Sequence, residues 1–345
     1  MIDYKRAGID LLSIHFTGNK GLGEELKFSK TPKVLPETAL KDALLHFFIS
    51  SFRSEVYFHI DRKSKGIFRI IEEMATNKKY FHEGSKNISQ HLFDQSTHPN
   101  IKGGELYVCY LKDMVTEGVM CDAIGIFKSE NHETYLKVSE ENGDYLLETE
   151  KGFNINKLDK GALIFLTEEN KGYKVSLLDN SSKNTEIAGY WQNDFLQLKP
   201  REDSFYHTQN FISLAKSFCE EVLTEENNVS KNQQMMMLNK SIGFFKNRNK
   251  FSLNDFKNEV IPQREVQNEF NDYRKQFYDA NELQMIDDFQ VSPSAFNKNK
   301  KYLRSIIKLD KNFHVYVHSK HEYIEKGFDE ERGMKFYKLY FDNET

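Results

Sequence analysis

Between residues 103 and 178, short apolar runs recur and glycines punctuate them, and this rhythm restricts the possible folds more than any other feature. The runs are Glu105 to Leu111, Cys121 to Lys128, Thr134 to Val138, Ala162 to Thr167 and Tyr173 to Leu178. Each is too short for a buried helix but long enough for a strand. Gly103, Gly104, Gly118, Gly143, Gly161 and Gly172 fall at turn-like intervals among them. Glycine adopts the positive φ angles of tight hairpin turns at little steric cost, so the pattern predicts a largely antiparallel sheet.

The flanking segments have different periods. Ile9 to Phe16 reads as a strand, Gly18 to Gly23 as a turn and Glu25 to Phe28 as a returning strand. After Pro36, the positions Ala39, Leu40, Ala43, Leu44, Phe47 and Phe48 recur at helical spacing, with Glu37 placed to favour the helix dipole. A second helix is predicted over about Gly84 to Phe93, ended by the Thr97 to Asn100 loop and its Pro99. Beyond Trp191, Phe205, Ile212, Ala215, Phe218, Cys219 and Val222 mark one face of a helix, followed by a polar break at Glu225 to Asn228. Ser252 and Asp255 resemble a capping box, Pro262 limits the helix they start, and Arg264 to Tyr278 continues as another. The Met235 to Met237 triplet suits either an irregular core or an adaptable partner surface. Phe313, Val315 and Val317 alternate as in a half-exposed strand, and Met334 to Phe341 reads as a closing strand. The expected fold is α+β, with a sheet-rich N-terminal half, a helical middle and a small strand-bearing C-terminal region. Soft boundaries give residues 1–195, 196–291 and a basic region at 292–345.

Several function classes lose support from composition. No stretch approaches the roughly 20 apolar residues of a membrane helix, and Asp3, Lys5 and Arg6 occupy positions where a secretory leader would be apolar. Cys109, Cys121 and Cys219 form no CxxC pair, so a reducing cytoplasm is expected. The formal charge of −4 over 345 residues provides no general attraction to polyanions, and any nucleic-acid contact must be local.

Cations concentrate in two stretches, one at Lys240, Lys246, Arg248, Lys250 and Lys257, the other at Lys298, Lys300, Lys301, Arg304, Lys308 and Lys311. In the second, Lys300, Lys301, Arg304 and Lys308 lead into a strand carrying His314 and His318, with Tyr302 and Tyr316 nearby. Several cations on one face would hold a run of phosphates. Upstream, His98-Pro99-Asn100-Ile101-Lys102-Gly103-Gly104 offers a lysine and backbone N–H groups to a phosphate, although two glycines before a strand also simply permit a tight turn. Lys128, Lys157 and Lys160 flank strands of the same sheet and would form a phosphate-tracking rim if the strand ends converge. The competing expectation for each is a separate, solvated lysine.

Catalytic signatures are weak. His314 and His318 on a strand would lie about 13 Å apart, too far to chelate one ion. Glu25-Leu26-Lys27 matches the E-x-K pattern of metal-dependent nucleases, a triplet expected by chance in a chain with 29% charged residues. No nucleophile elbow, zinc-protease helix or dinucleotide fingerprint occurs. No metal or cofactor is expected.

Four phrases carry a resemblance: His98 to Leu106, Ala123 to Glu130, Asn156 to Gly161, and Lys308 to His314. In order and spacing the chain resembles the bacterial NdpA-like nucleoid-associated family, in particular members from the Bacteroidetes lineage, from the Ile14-His15 strand to the Tyr337 to Phe341 tail. The resemblance implies association with the bacterial chromosome, a cytoplasmic location at the nucleoid, and binding rather than catalysis. It supplies no catalytic residues. Expected partners are DNA, double-stranded and read with little sequence preference, or a nucleoid protein that recruits the chain as an adaptor. A homo-oligomer is expected, since modest cation clusters gain from duplication.

Overall fold

Strands and helices alternate in the order that the apolar periods dictate. A computed structural model of the chain describes all residues except 1, 65, 181–188, 228, 262, 304, 318–322 and 344–345, and describes 225, 231, 232, 305, 306 and 308 by backbone alone. It divides into two units, Met1–Arg201 and Glu202–Thr345. No helix among the described residues is long and apolar enough to cross a membrane.

In the first unit the strands are β1 (Ile2–Asp3), β2 (Gly8–Thr17), β3 (Leu26–Lys27), β4 (Tyr57–Ile60), β5 (Gly104–Thr116), β6 (Val119–Ser129), β7 (Glu133–Glu141), β8 (Asp144–Gly152), β9 (Lys160–Phe165), β10 (Lys174–Asp179) and β11 (Leu198–Pro200). Its helices are α1 (Thr38–Ile49), α2 (Ile67–Thr76) and α3 (Phe81–Gln95), with one π-helical turn at Tyr190–Phe195. Nine strands of the described residues form one sheet in the order β11-β4-β10-β9-β6-β5-β2-β3, with β1 also on β5. Every pairing is antiparallel.

Helices cover both faces of this sheet, so its central strands are apolar on both sides. Leu106, Val108, Ile124, Ile126, Ala162, Ile164 and Val175 face a core completed by Ile71, Met74, Ile88, Leu92 and Trp191 from α2, α3 and the π turn. The alternate residues Tyr107, Cys109, Ala123, Phe127, Leu163 and Phe165 face Leu45, Phe47 and Phe48 of α1. Phe48 and Phe127 stack with centroids 4.4 Å apart. Phe127 sits opposite Gly161 in the register, where a Cβ would come within 3.1 Å of the Phe127 ring and 2.8 Å of Phe52. The absent side chain is what lets the ring lie flat against the sheet.

A polar seam docks α3 on β2. Ser13, His15 and Thr17 lie on one face of the strand, and His82, Ser85 and Ser89 on one face of the helix, as periods of two and 3.6 require. Ser13 Oγ meets His82 Nδ1 at 2.8 Å, His15 Nε2 meets Ser85 Oγ at 2.9 Å, and Thr17 meets Ser89 at 2.9 Å. The Ser29 backbone N–H donates to His15 Nδ1, so the His15 proton sits on Nε2 and is donated to Ser85, which donates onward to the His82 carbonyl. Burial, helped by His82 and Lys86, lowers the His15 pKa to about 4.

The second unit contains β12 (Lys250–Ser252), β13 (Asp288–Gln290), β14 (Ser305–Leu309), β15 (Phe313–Val317), β16 (Ile324–Asp329) and β17 (Met334–Leu339). Its helices are α4 (Ser204–Glu221), α5 (Lys231–Lys246), α6 (Leu253–Val260), α7 (Arg264–Ala280) and α8 (Pro293–Asn299). The expected Ser252 cap is present, accepting from the Asp255 N–H. Phenylalanines build this core: Phe211 packs 4.1 Å from Phe251, which stacks 4.5 Å from Phe289. Phe296 and Leu303 belong to the same core, so no break in packing occurs at 292. Of the methionine triplet, Met235 and Met237 are buried while Met236 is 47% exposed, the split that a helix imposes.

Two measurements test this packing. Phe127→Ala should cost about 3–5 kcal/mol in urea unfolding, since a stacked ring with little room to collapse around it is removed. For His15 the fold favours the neutral ring, with a pKa of about 4 against an ordinary 6.5, so its contribution is complete above 6.5 and is lost as pH falls towards 4. Within that window wild-type stability should fall more steeply than that of His15→Gln, by up to about 1.4 kcal/mol per pH unit. Equal slopes would show that the seam does not exclude the proton.

Candidate nucleic-acid interface

Three of the four family-like phrases meet at one end of the large sheet. Lys128 near the end of β6 and Lys160 at the start of β9 are directly opposite in the register. The strand ends therefore converge, but the lysines point inward. Their parity is that of Ile124, Ile126, Ala162 and Ile164, the residues of the α3-side core. Lys128 is fully buried and Lys160 is 2% exposed, and this corrects the expectation that they form an exposed rim.

Each buried ammonium has its own counter-charge. Lys128 Nζ donates to Glu130 Oε1 at 3.0 Å and to the Lys102 carbonyl, while Lys160 Nζ donates to Asp179 Oδ1 at 2.7 Å and lies 5.2 Å from the Tyr190 ring. Burial lowers the Lys128 pKa, and Glu130 opposes that shift. Asp159 accepts from the backbone N–H groups of Glu130 and Asn131 and from Asn131 Nδ2, and Lys102 Nζ donates to Asn131 Oδ1 at 2.8 Å. Lys157 remains exposed, 3.5 Å from Glu133. The four lysines thus tie loop to strand rather than presenting a common charged surface. The glycine pair has a packing reason too, because a Cβ on Gly104 would collide with the Ser129 carbonyl oxygen.

The second unit carries a short run of exposed cations after α8 begins. Ser292 caps α8 and Pro293 occupies its first turn, where a missing N–H costs nothing. Phe296 and Leu303 point into the phenylalanine core, which turns Lys298, Lys300, Lys301 and Tyr302 outward. Tyr302 is 49% exposed, with Lys301 Nζ 4.9 Å and Lys216 Nζ of α4 5.9 Å from its ring. Lys300 Nζ donates to Asn297, and Lys298 lies 5.7 Å from the Phe205 ring. Among the described residues no carboxylate pairs with Lys298, Lys300 or Lys301, whereas Lys216 reaches Glu220 at 3.3 Å. Lys216 has no signal in the sequence, since only the packing of α4 against the turn after α8 brings it beside Tyr302.

The remaining candidates separate. Lys311 is exposed in the turn between β14 and β15, Lys308 stands opposite His314 in the backbone register, and Arg304 and His318 lie outside the described residues. In the middle stretch, Arg248 is claimed by Asp255 at 3.4 Å and Glu259 at 2.5 Å. Glu25 and Lys27 neutralise each other on the surface at 2.6 Å. Among the described residues, no three His, Cys, Asp or Glu side chains converge as a metal site would require.

Fold and surface together define a two-unit α+β protein in whose described residues Lys298, Lys300 and Lys301, neighbours in sequence of the exposed Tyr302, meet no carboxylate. A family model described as nucleoid-associated protein YejK matches residues 13–333, and the chain belongs to that family. No curated protein shows significant similarity to it.

The buried lysine can be tested apart from DNA. Lys128→Met strands the Glu130 carboxylate, itself 4% exposed, and should cost about 3–5 kcal/mol, whereas adding Glu130→Met should recover much of that stability. No recovery on the second substitution would show that the ion pair is not what Lys128 contributes.

Proposed function

We propose that the chain is a cytoplasmic, nucleoid-associated protein that binds double-stranded DNA through Lys216, Lys298, Lys300 and Lys301 around Tyr302, without catalysis. The observation that carries this reading is that Lys298, Lys300 and Lys301 stand free of carboxylates among the described residues, in a chain that is anionic overall. Lysine acts on phosphate as a point charge and matches no base edge by geometry, so binding has little sequence preference. The Tyr302 ring steadies the two flanking ammonium groups. Lys102 and Lys157, at one end of the large sheet in the first unit, are not part of this contact.

A second reading, recruitment by a protein partner, is favoured by one feature. A cavity of about 310 Å³ is lined by Leu223, Val229, Met236, Met237, Val260 and Ile261, and exposed methionine adapts readily to apolar partners. Fluorescence anisotropy with duplexes of unrelated sequence separates the two. Direct binding predicts similar affinities for all duplexes, a steep decline with salt, and at least a tenfold weakening in Lys298→Glu/Lys300→Glu/Lys301→Glu. The slope of log affinity against log salt should shrink by about 0.9 for each phosphate that the variant no longer neutralises. An unchanged affinity in the triple variant, or no binding by the wild type at low salt, would reject this surface; the latter combined with nucleoid co-localisation would favour the partner.

A further inference from the structure

The β7–β8 hairpin stands apart from the large sheet, and its two faces differ. Asn142 and Gly143, both at positive φ, form the two-residue turn that fixes its register. Cross-strand partners share a face, and one face consists of the pairs Thr134–Lys151, Leu136–Thr149, Val138–Leu147 and Glu140–Tyr145. Leu136, Val138, Tyr145 and Leu147 are 71%, 64%, 75% and 68% exposed. The opposite face mixes Glu133, Glu141, Asp144, Glu148, Glu150 and Lys137 with Tyr135 and Leu146, which are less exposed at 38% and 43%. An isolated two-stranded ribbon is marginal in water, and this one turns its strongest apolar surface outward.

We propose that this arm packs face to face, end for end, on the same arm of a second copy of the chain. The charges specify that arrangement. From base to tip the face reads Lys151 beside Thr134, Leu136 beside Thr149, the apolar pair Val138–Leu147, then Glu140 beside Tyr145, over about 20 Å. A two-fold axis through the middle of the arm brings Lys151 of one copy over Glu140 and Tyr145 of the other, twice, while Leu136 meets Val138 between them. Packing tip against tip would instead oppose Lys151 to Lys151 and Glu140 to Glu140. No ion pair within the described residues engages Lys151 or Glu140. The four exposed apolar side chains offer roughly 500 Å² per arm, so the pair buries about 1,000 Å², enough for a specific though modest dimer. The interface is isologous and closes on itself, so it yields a dimer and not a filament.

Sedimentation equilibrium of the full chain tests the proposal. The wild type should dimerise at micromolar concentration, and Leu136→Lys/Leu147→Lys should weaken dimerisation at least a hundredfold. Glu140→Lys alone should weaken it about tenfold, and Glu140→Lys/Lys151→Glu should restore it. The arm lies outside the cores, so at concentrations below the dimerisation constant the thermal unfolding of each variant should match the wild type and exclude misfolding as the cause. A monomeric wild type at tens of micromolar overturns the proposal, as does a dimer indifferent to the leucine changes, which would place the contact elsewhere. A dimer sensitive to the leucines but not rescued by the charge exchange overturns the end-for-end arrangement.

Discussion

Two lysines directly opposite each other on neighbouring strands repel, and withdrawing both from water adds a desolvation cost that neither can offset for the other. Lys128 and Lys160 occupy that position, and the N-terminal unit is organised around resolving it. Glu130 and Asp179 supply the counter-charges, and the Lys102 carbonyl takes a further Lys128 proton. Meeting those demands draws the loop before β5, the end of β6 and the start of β9 to one place. Asp159 then fixes the backbone of Glu130 and Asn131. The arrangement also specifies register, because a one-residue slip of β6 would exchange the faces of Phe127 and Lys128. That slip would bury an ammonium against the ring of Phe48 and turn an aromatic ring into the polar knot.

The same constraint changes how the charge of the chain is to be read. A net charge of −4 counts lysines that have no access to solvent together with those that are free. Lys128, Lys160 and Lys174 are each held inside the first unit by a carboxylate. Arg248, the most prominent cation of the middle stretch, is shared between two acids. Among the described cations that no carboxylate engages, Lys298, Lys300 and Lys301 lie close together in sequence beside the exposed Tyr302, and the effect of such a surface is local, extending about one Debye length into physiological salt.

Much of the architecture is legible in the sequence because burial enforces period. The alternation of β2, β5, β6, β9 and β10 and the helical spacing of α1, α4 and α7 are direct records of which faces meet a core. The inward direction of Lys128 is legible too, in its parity with Ile124 and Ile126, but charge argues for exposure and parity for burial, and parity wins once counter-ions are available. Ile67, Phe68, Ile71 and Met74 carry a helical spacing for α2 that the sequence analysis does not assign. The second strand of the arm escapes it for a different reason. Asp144 to Gly152 mixes acidic residues with leucines on a ribbon that meets no core in its own chain, and so lacks the clean pattern that burial imposes. Lys216 is beyond reach of any local pattern, since a helix surface becomes part of this site only after α4 packs against the turn following α8.

The arm and the lysine surface address the same shortage. Three or four lysines neutralise few phosphates, and the acidic remainder of the molecule opposes close approach in most orientations. A larger patch within one chain would need further exposed cations on the same surface. Doubling it through a self-pairing arm leaves the fold of each unit untouched, because the residues that pair lie outside both cores. On the proposed reading, a self-paired chain would carry two copies of this patch, and a second weak contact on one duplex would gain from the effective concentration set by the first.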